Sequence, residues 1–159
     1  MRFRYSAVGA LVGLALVAGS PAAVASRGTP PDRNCRPATW IQGAVENRTD
    51  ARLVLAQEGF GPGTEWCRSP GDDVRAHATD QWRVGDDAGK ADVFLIYLLD
   101  NRDRVRFRAR AVENGPVEVS CSIESDATTP LRRYRCEAEN VMGADHFAFV
   151  RLSVLPVRG

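Results

Sequence analysis

The chain is poor in the residues that most enzymes and nucleic-acid binders lean on. Its 159 residues hold two histidines, one lysine among 21 basic residues, and no Cys-x-x-Cys pair. With only His77 and His146, and no Gly-x-Ser-x-Gly elbow, a serine-type triad has little to draw on. The glycines at 59, 61 and 63 are not followed by Gly-Lys-Ser/Thr, so no phosphate-cradling loop is present. The cysteine spacing does not suit a zinc site. Asp86, Asp87 and Asp92 match no compact calcium loop and read as a solvated turn. No cofactor and no metal are therefore expected. Charge of one sign is lacking too: 21 basic residues stand against 20 acidic ones, a formal +1, without the basic excess of a dedicated nucleic-acid binder. That 20 of the 21 are arginine, with Lys90 alone, reads as GC-rich coding. Long apolar runs are absent as well. Past the N-terminus the longest covers residues 93–99, far below the roughly 20 residues that cross a bilayer as a helix.

What is present begins with an export signal. Arg2 and Arg4 precede a run of small and apolar residues at 7–19, Pro21 breaks it, and Ala23-Val24-Ala25 offers a signal-peptidase site. We expect a signal peptide at residues 1–25, a loose leader at 26–34, and a single domain over 35–159. No Arg pair precedes the apolar run, which favours the general secretory route and a secreted, extracellular protein. Cleavage removes two arginines and no acid, turning +1 into −1. All four cysteines survive it, and in an oxidising compartment they read as disulfides. Four cysteines allow three pairings; proximity favours Cys35–Cys67 and Cys121–Cys136. Closing the 14-residue loop of the second pair stabilises by ~3 kcal/mol in the chain-entropy picture.

The remainder alternates with period two and shows almost no helical periodicity, so an all-β fold is expected. Strand-like segments lie at 40–45, 53–56, 65–67, around 81–83, 93–99, 105–112, 117–123, 133–138 and 147–154, separated by turn signals such as Asn47-Arg48-Thr49-Asp50 and Asn114-Gly115-Pro116. Eight or nine short strands with such punctuation predict a compact antiparallel β-sandwich stapled by two disulfides. Asn47-Arg48-Thr49 matches a glycosylation sequon, but the composition suggests a bacterial chain and the segment is read as a turn.

The clearest local pattern is Arg102, Arg104, Arg106, Arg108 and Arg110, interleaved from 104 onward with Val105, Phe107 and Ala109. On a strand the apolar set faces the core and the arginines line the other face, ~6.6–6.8 Å apart. Such a row binds phosphate or carboxylate through guanidinium forks. The alternative is a solvated face neutralised by cross-strand acids such as Glu118, Glu137 or Glu139. Among the aromatics, Trp40 and Trp82 are assigned to the core, while Phe60, between Gly59 and Gly61, is a candidate exposed tip for a membrane interface or a partner's pocket. The arginine row and Phe60 form the candidate binding surface.

The order Trp40, Gly43, Val45, Asn47, Thr49, then Leu53 and Leu55, Gly63 and Trp66, Pro70 and Trp82 resembles the secreted aegerolysin-like proteins, including their crystal-protein-like branch. The later Tyr97, Val105, Phe107, Asn114, Pro116, Cys121, Tyr134-Arg135-Cys136 and the final strand follow in similar order. The chain departs from the family at Gly85-Asp86-Asp87-Ala88-Gly89, where a Gly-Thr-x-Gly segment is usual, and lacks an aromatic after Phe107. The resemblance implies a β-sandwich that recognises membrane lipids, sometimes with a larger partner in pore formation, and it transfers no lipid-contact residue. The resulting expectation is a secreted, non-enzymatic protein binding membrane lipid headgroups or another anionic envelope surface, with no nucleic-acid partner. The alternative is a secreted inhibitor or protein-interaction module acting on a partner enzyme. A small hydrolase with paired carboxylates, visible only through a fold, comes third.

Overall fold

The computed structural model describes residues 35–100, 102–125, 133–144 and 147–157. The expected signal peptide and leader, the loop at 126–130 and His146 lie outside the described residues. Ten strands make up the fold: β1 (Thr39–Asn47), β2 (Leu53–Phe60), β3 (Thr64–Arg68), β4 (Asp73–Val74), β5 (Thr79–Asp86), β6 (Lys90–Leu99), β7 (Asp103–Val112), β8 (Glu118–Glu124), β9 (Tyr134–Ala144) and β10 (Phe147–Pro156). Nine match the strand-like segments of the sequence. The tenth, β4, is two residues long and too short to carry a period-two signal.

The strands form two five-stranded sheets, β3-β5-β1-β10-β9 and β4-β2-β6-β7-β8, packed as a sandwich. The expected antiparallel arrangement holds with one exception. β1 and β10, the first and last strands, pair parallel, with Trp40 opposite Phe147 and Asn47 opposite Val154. Side-chain alternation reports which face a residue takes and carries nothing about strand direction, so this pairing had no sequence signature.

The inward-facing sets build the core. β1 contributes Ile41 and Val45, β6 Val93, Leu95, Tyr97 and Leu99, β7 Val105, Phe107 and Ala109, and β10 Ala148, Val150, Leu152 and Val154. Trp82, Tyr97 and Phe107 are the largest fully buried side chains. Gly43 lies in the inward phase of β1 because the Trp82 indole covers its Cα; a Cβ there would overlap the ring. Burial pushes the Tyr97 phenol pKa up, with the Asp80 and Glu58 carboxylates adding to the effect, so Tyr97 stays protonated.

Trp40 corrects the sequence reading. It lies one pleat out of phase with Ile41 and projects from the outer face of the first sheet, half-buried, where the core assignment had placed it inside. Its ring stacks on Phe147 at 5.1 Å between centroids, and the Arg83 guanidinium sits 4.4 Å over its other side.

The Asn47-Arg48-Thr49 segment is a buried knot. The Asn47 amide donates to the carbonyls of Ala51, Val74 and Arg75 at 2.7, 3.0 and 3.0 Å. Its carbonyl accepts from the Thr49 backbone N–H and hydroxyl. With 1% of Asn47 exposed, the amide has no room for a glycan, and its work is to join the β1–β2 turn to the segment after β4.

Both expected disulfides form. Cys35, just before β1, bonds Cys67 on β3, and Cys121 on β8 bonds Cys136 on β9. The second joins the edge strands of opposite sheets at a Cα–Cα distance of 5.9 Å, well under the ~10 Å that separates stacked sheets, and so closes that side of the sandwich.

Candidate functional site

The outer face of the second sheet brings the arginine row beside an apolar lane. β7 is paired with β6 on one side and β8 on the other. Across β6, Arg110 faces Asp92, Arg108 faces Phe94, Arg106 faces Ile96 and Arg104 faces Leu98. Across β8, the same four face Glu118, Ser120, Ser122 and Glu124. Three parallel lanes result: apolar on β6, cationic on β7, and hydroxyl on β8 with an acid at each end. Arg102 does not join the row; it sits in the turn before β7, its N–H donating to the Leu99 carbonyl.

The outward phase of β6 is the part that sequence reasoning missed. A continuously apolar run reads as a strand buried on both faces. Here Leu95 and Tyr97 face the core, whereas Phe94, Ile96 and Leu98 face outward, with no layer of the described residues over them. Phe94 lies across Gly59 on β2, where a Cβ would collide with its ring. Ile96 is nonetheless 8% exposed, sheltered between Gln57 and the Arg106 stem. The usable signal was the juxtaposition of that outward phase with the arginine phase of the next strand.

A groove of about 470 Å³ runs over this junction. Its floor is Phe94 and Ile96, one wall is Arg106 and Arg108, and Gln57, Phe60, Gly61 and Asp92 complete the lining. Phe60 and two members of the arginine row, singled out separately in the sequence, thus meet at one site. Phe60 is 47% exposed and braced edge-on against Trp66, with ring centroids 6.1 Å apart.

The charges along the row differ in how firmly they are held. Arg108 donates twice to Asp92, Nε to Oδ1 at 3.1 Å and Nη2 to Oδ2 at 2.8 Å. That hydrogen bonding and the Asp92 charge push the Arg108 pKa up. Asp92 itself is fixed by its backbone: its N–H donates to Thr64 Oγ1 and its carbonyl accepts from Gly61. Among the described residues, Arg110 and Arg106 are paired at longer range, with Glu118 at 3.8 Å and Glu124 at 3.9 Å. Arg104 has no ion pair among the described residues. The expectation that Glu137 and Glu139 neutralise the row is overturned. Both lie on β9 in the other sheet and pair with Arg135 and Arg151.

Elsewhere the chemistry disperses. His77 hydrogen-bonds Asp50 at 2.8 Å on an exposed corner. The Asp86 carboxylate accepts from the N–H groups of Ala88 and Lys90 in its own turn, so Asp86 and Asp92 do not converge. Among the described residues no group of three His, Cys, Asp or Glu side chains could hold a metal ion, and no helix is long and apolar enough to cross a membrane.

The outer face of the first sheet carries a second apolar cluster, also missed. Trp40, Phe147 and Phe149 pack mutually, with Phe149 edge-on to Trp40 at 5.2 Å. Beside them Val141 and Met142 are 48% and 57% exposed.

No family model and no curated protein matches the chain. Among solved structures it is similar to the lipid binding protein Nakanori, with a TM-score of 0.56 at 10% identity over 76% of this chain and 72% of that one. It is likewise similar to the RahU protein, solved in complex with a Tris molecule, with a TM-score of 0.52 at 9% identity over 78% and 99%. The chain shares their fold. At such identities the likeness speaks for architecture, and the chemistry has to be argued from the side chains.

Proposed function

We propose that this is a secreted, non-enzymatic binding protein that recognises membrane lipid or another anionic envelope surface through the outer face of the second sheet. The observation that carries the reading is the groove where Phe94 and Ile96 lie alongside Arg106 and Arg108. An apolar floor beside guanidinium forks suits a ligand that is itself apolar at one end and anionic at the other. Three further points support it. A protein of the same fold is a lipid binding protein. The resemblance to aegerolysin-like proteins points the same way. Two disulfides fit an oxidising compartment, in keeping with residues 1–25 as a signal peptide and 26–34 as a leader.

The test is co-sedimentation of the disulfide-bonded protein with vesicles of zwitterionic lipid, alone and with increasing anionic lipid. Binding that rises with anionic content and falls with salt is expected. A protein that stays in the supernatant at every composition defeats the reading, and stoichiometric inhibition of a hydrolase would favour the inhibitor alternative.

A further inference from the structure

We infer that the groove seats one molecule of a single-chain monoanionic amphiphile, such as a fatty acid or a singly ionised alkyl phosphate. Its head lies on Arg106, and its chain runs over Ile96 and Phe94 toward Phe60. This rests on the lipid reading of the same face and narrows it from a surface to one ligand.

The acids around the row limit the size of the anion. A long polyanion laid along β7 would meet Glu118 at one end of the row and Glu124 at the other, and Asp92 beside it. Like charges so placed oppose a track for a polymer and leave room for a single anion between them. Within the groove, Arg108 is held bidentately by Asp92, so that pair adds little net charge. Arg106 faces its acid only at 3.9 Å, with both side chains about half exposed. One guanidinium is therefore available in the groove, and one negative charge balances it. Ser122, directly across β8 from Arg106, places a hydroxyl next to that head position.

The apolar part follows from register. Ile96 is the β6 partner of Arg106, and Phe94 lies two residues further along, ~6.6–6.8 Å away. Phe60, at the end of β2, pairs with the core-facing Val93 and packs on Trp66, yet it lines the far end of the same groove beyond Phe94. The outward phase of β6 also continues the other way to Leu98, opposite Arg104, but Leu98 does not line the groove; within the groove the apolar lining runs from Ile96 through Phe94 to Phe60, as a single tail requires. The volume of about 470 Å³ falls in the range of pockets that take small ligands, roughly 300–1,000 Å³.

Dodecyl phosphate below its micelle concentration is the probe, at about pH 5 where a phosphate monoester carries one charge, followed by calorimetry or Trp fluorescence, with inorganic phosphate and dodecanol as the two halves of the ligand. We expect saturable 1:1 binding at least tenfold tighter than either half. Arg106→Gln should weaken it at least tenfold and Phe94→Ala several-fold. Arg135→Gln and Phe149→Ala, both on the other sheet, should leave it unchanged. Thermal melts of each variant exclude misfolding as the cause of a loss. Dodecyl phosphate binding no tighter than inorganic phosphate, or no tighter than dodecanol, overturns the inference, as does wild-type affinity in Arg106→Gln. A protein that sediments with anionic vesicles yet fails to hold dodecyl phosphate defeats the groove alone. Failure in both assays defeats the lipid reading as well, and binding of the amphiphile without the vesicles supports the groove while removing the membrane.

Discussion

The two outer faces of the sandwich both carry aromatic rings, arginine and a groove, about 370 Å³ beside Phe149 and Met142 on the first sheet and about 470 Å³ over Phe94 and Ile96 on the second, yet their rings and charges are partnered differently. On the first sheet, Trp40 has Phe147 against one side and the Arg83 guanidinium over the other, and Phe149 meets it edge-on. Each ring there is already answered by a neighbour in the same chain. On the second sheet, Phe94 and Ile96 line a groove floor next to an arginine whose nearest acid is 3.9 Å away. Exposure alone does not separate the two, since Met142 beside the first cluster is more exposed than Phe60 beside the second. What separates them is whether the interactions close within the molecule. A closed cluster contributes to stability, and an open one is free to bind.

That contrast is best broken from the inside out. Removing the shared core should abolish it entirely: Trp82→Ala is expected to lose ~3–5 kcal/mol, as for large aromatic truncations in cores, and to weaken both faces together. Urea denaturation checks this. Opening the closed side of the sandwich comes next. Cys121→Ser with Cys136→Ser should lower stability by ~3 kcal/mol in the same assay, with vesicle binding retained at temperatures where the fold persists. Trp40→Ala then tests the closed face. Losing one stacked pair and one cation–π contact should lower stability by ~1–2 kcal/mol and leave vesicle binding at the wild-type level. Phe94→Ala is its mirror: a stability loss of ~1 kcal/mol or less, with vesicle binding down several-fold. Equal binding losses in these two variants would erase the distinction. The smallest effect belongs to Glu124→Gln, which releases Arg106 from a distant exposed acid and should raise affinity for anionic vesicles only about two- to fivefold.

Much of this architecture was legible in the residues. Alternation in the 105–112 segment placed Val105, Phe107 and Ala109 inside and the arginines outside, because one pleat period decides both sets at once. Proximity paired the cysteines correctly, although neither bond joins strands adjacent in a sheet: β5 lies between β1 and the Cys67 strand, and Cys121 and Cys136 sit on edge strands of opposite sheets. The groove was not legible. Phe94 and Ile96 sit in an unbroken apolar run, where composition hides which phase faces out, and only the pairing of β6 with β7 reveals it. Trp40 and Trp82 illustrate the same limit. Both lie on alternating strands, and a one-residue difference in pleat phase puts one on the surface and the other under Gly43. The acids fooled the sequence reading for a topological reason: Glu137 and Glu139 have strand spacing like Glu118, but β9 belongs to the other sheet.

The parallel pairing of β1 with β10 has a consequence in time. β1 occupies the middle of its sheet, between β5 and β10, so half of its backbone partners lie in the strand most distant from it along the described chain. During synthesis the chain can assemble β2, β6, β7 and β8 into the second sheet, while the first waits for residues 147–156 before its centre is complete. Contacts of such sequence separation form slowly. The first sheet of such a chain stays incomplete until β10 has been made, whatever the state of the second.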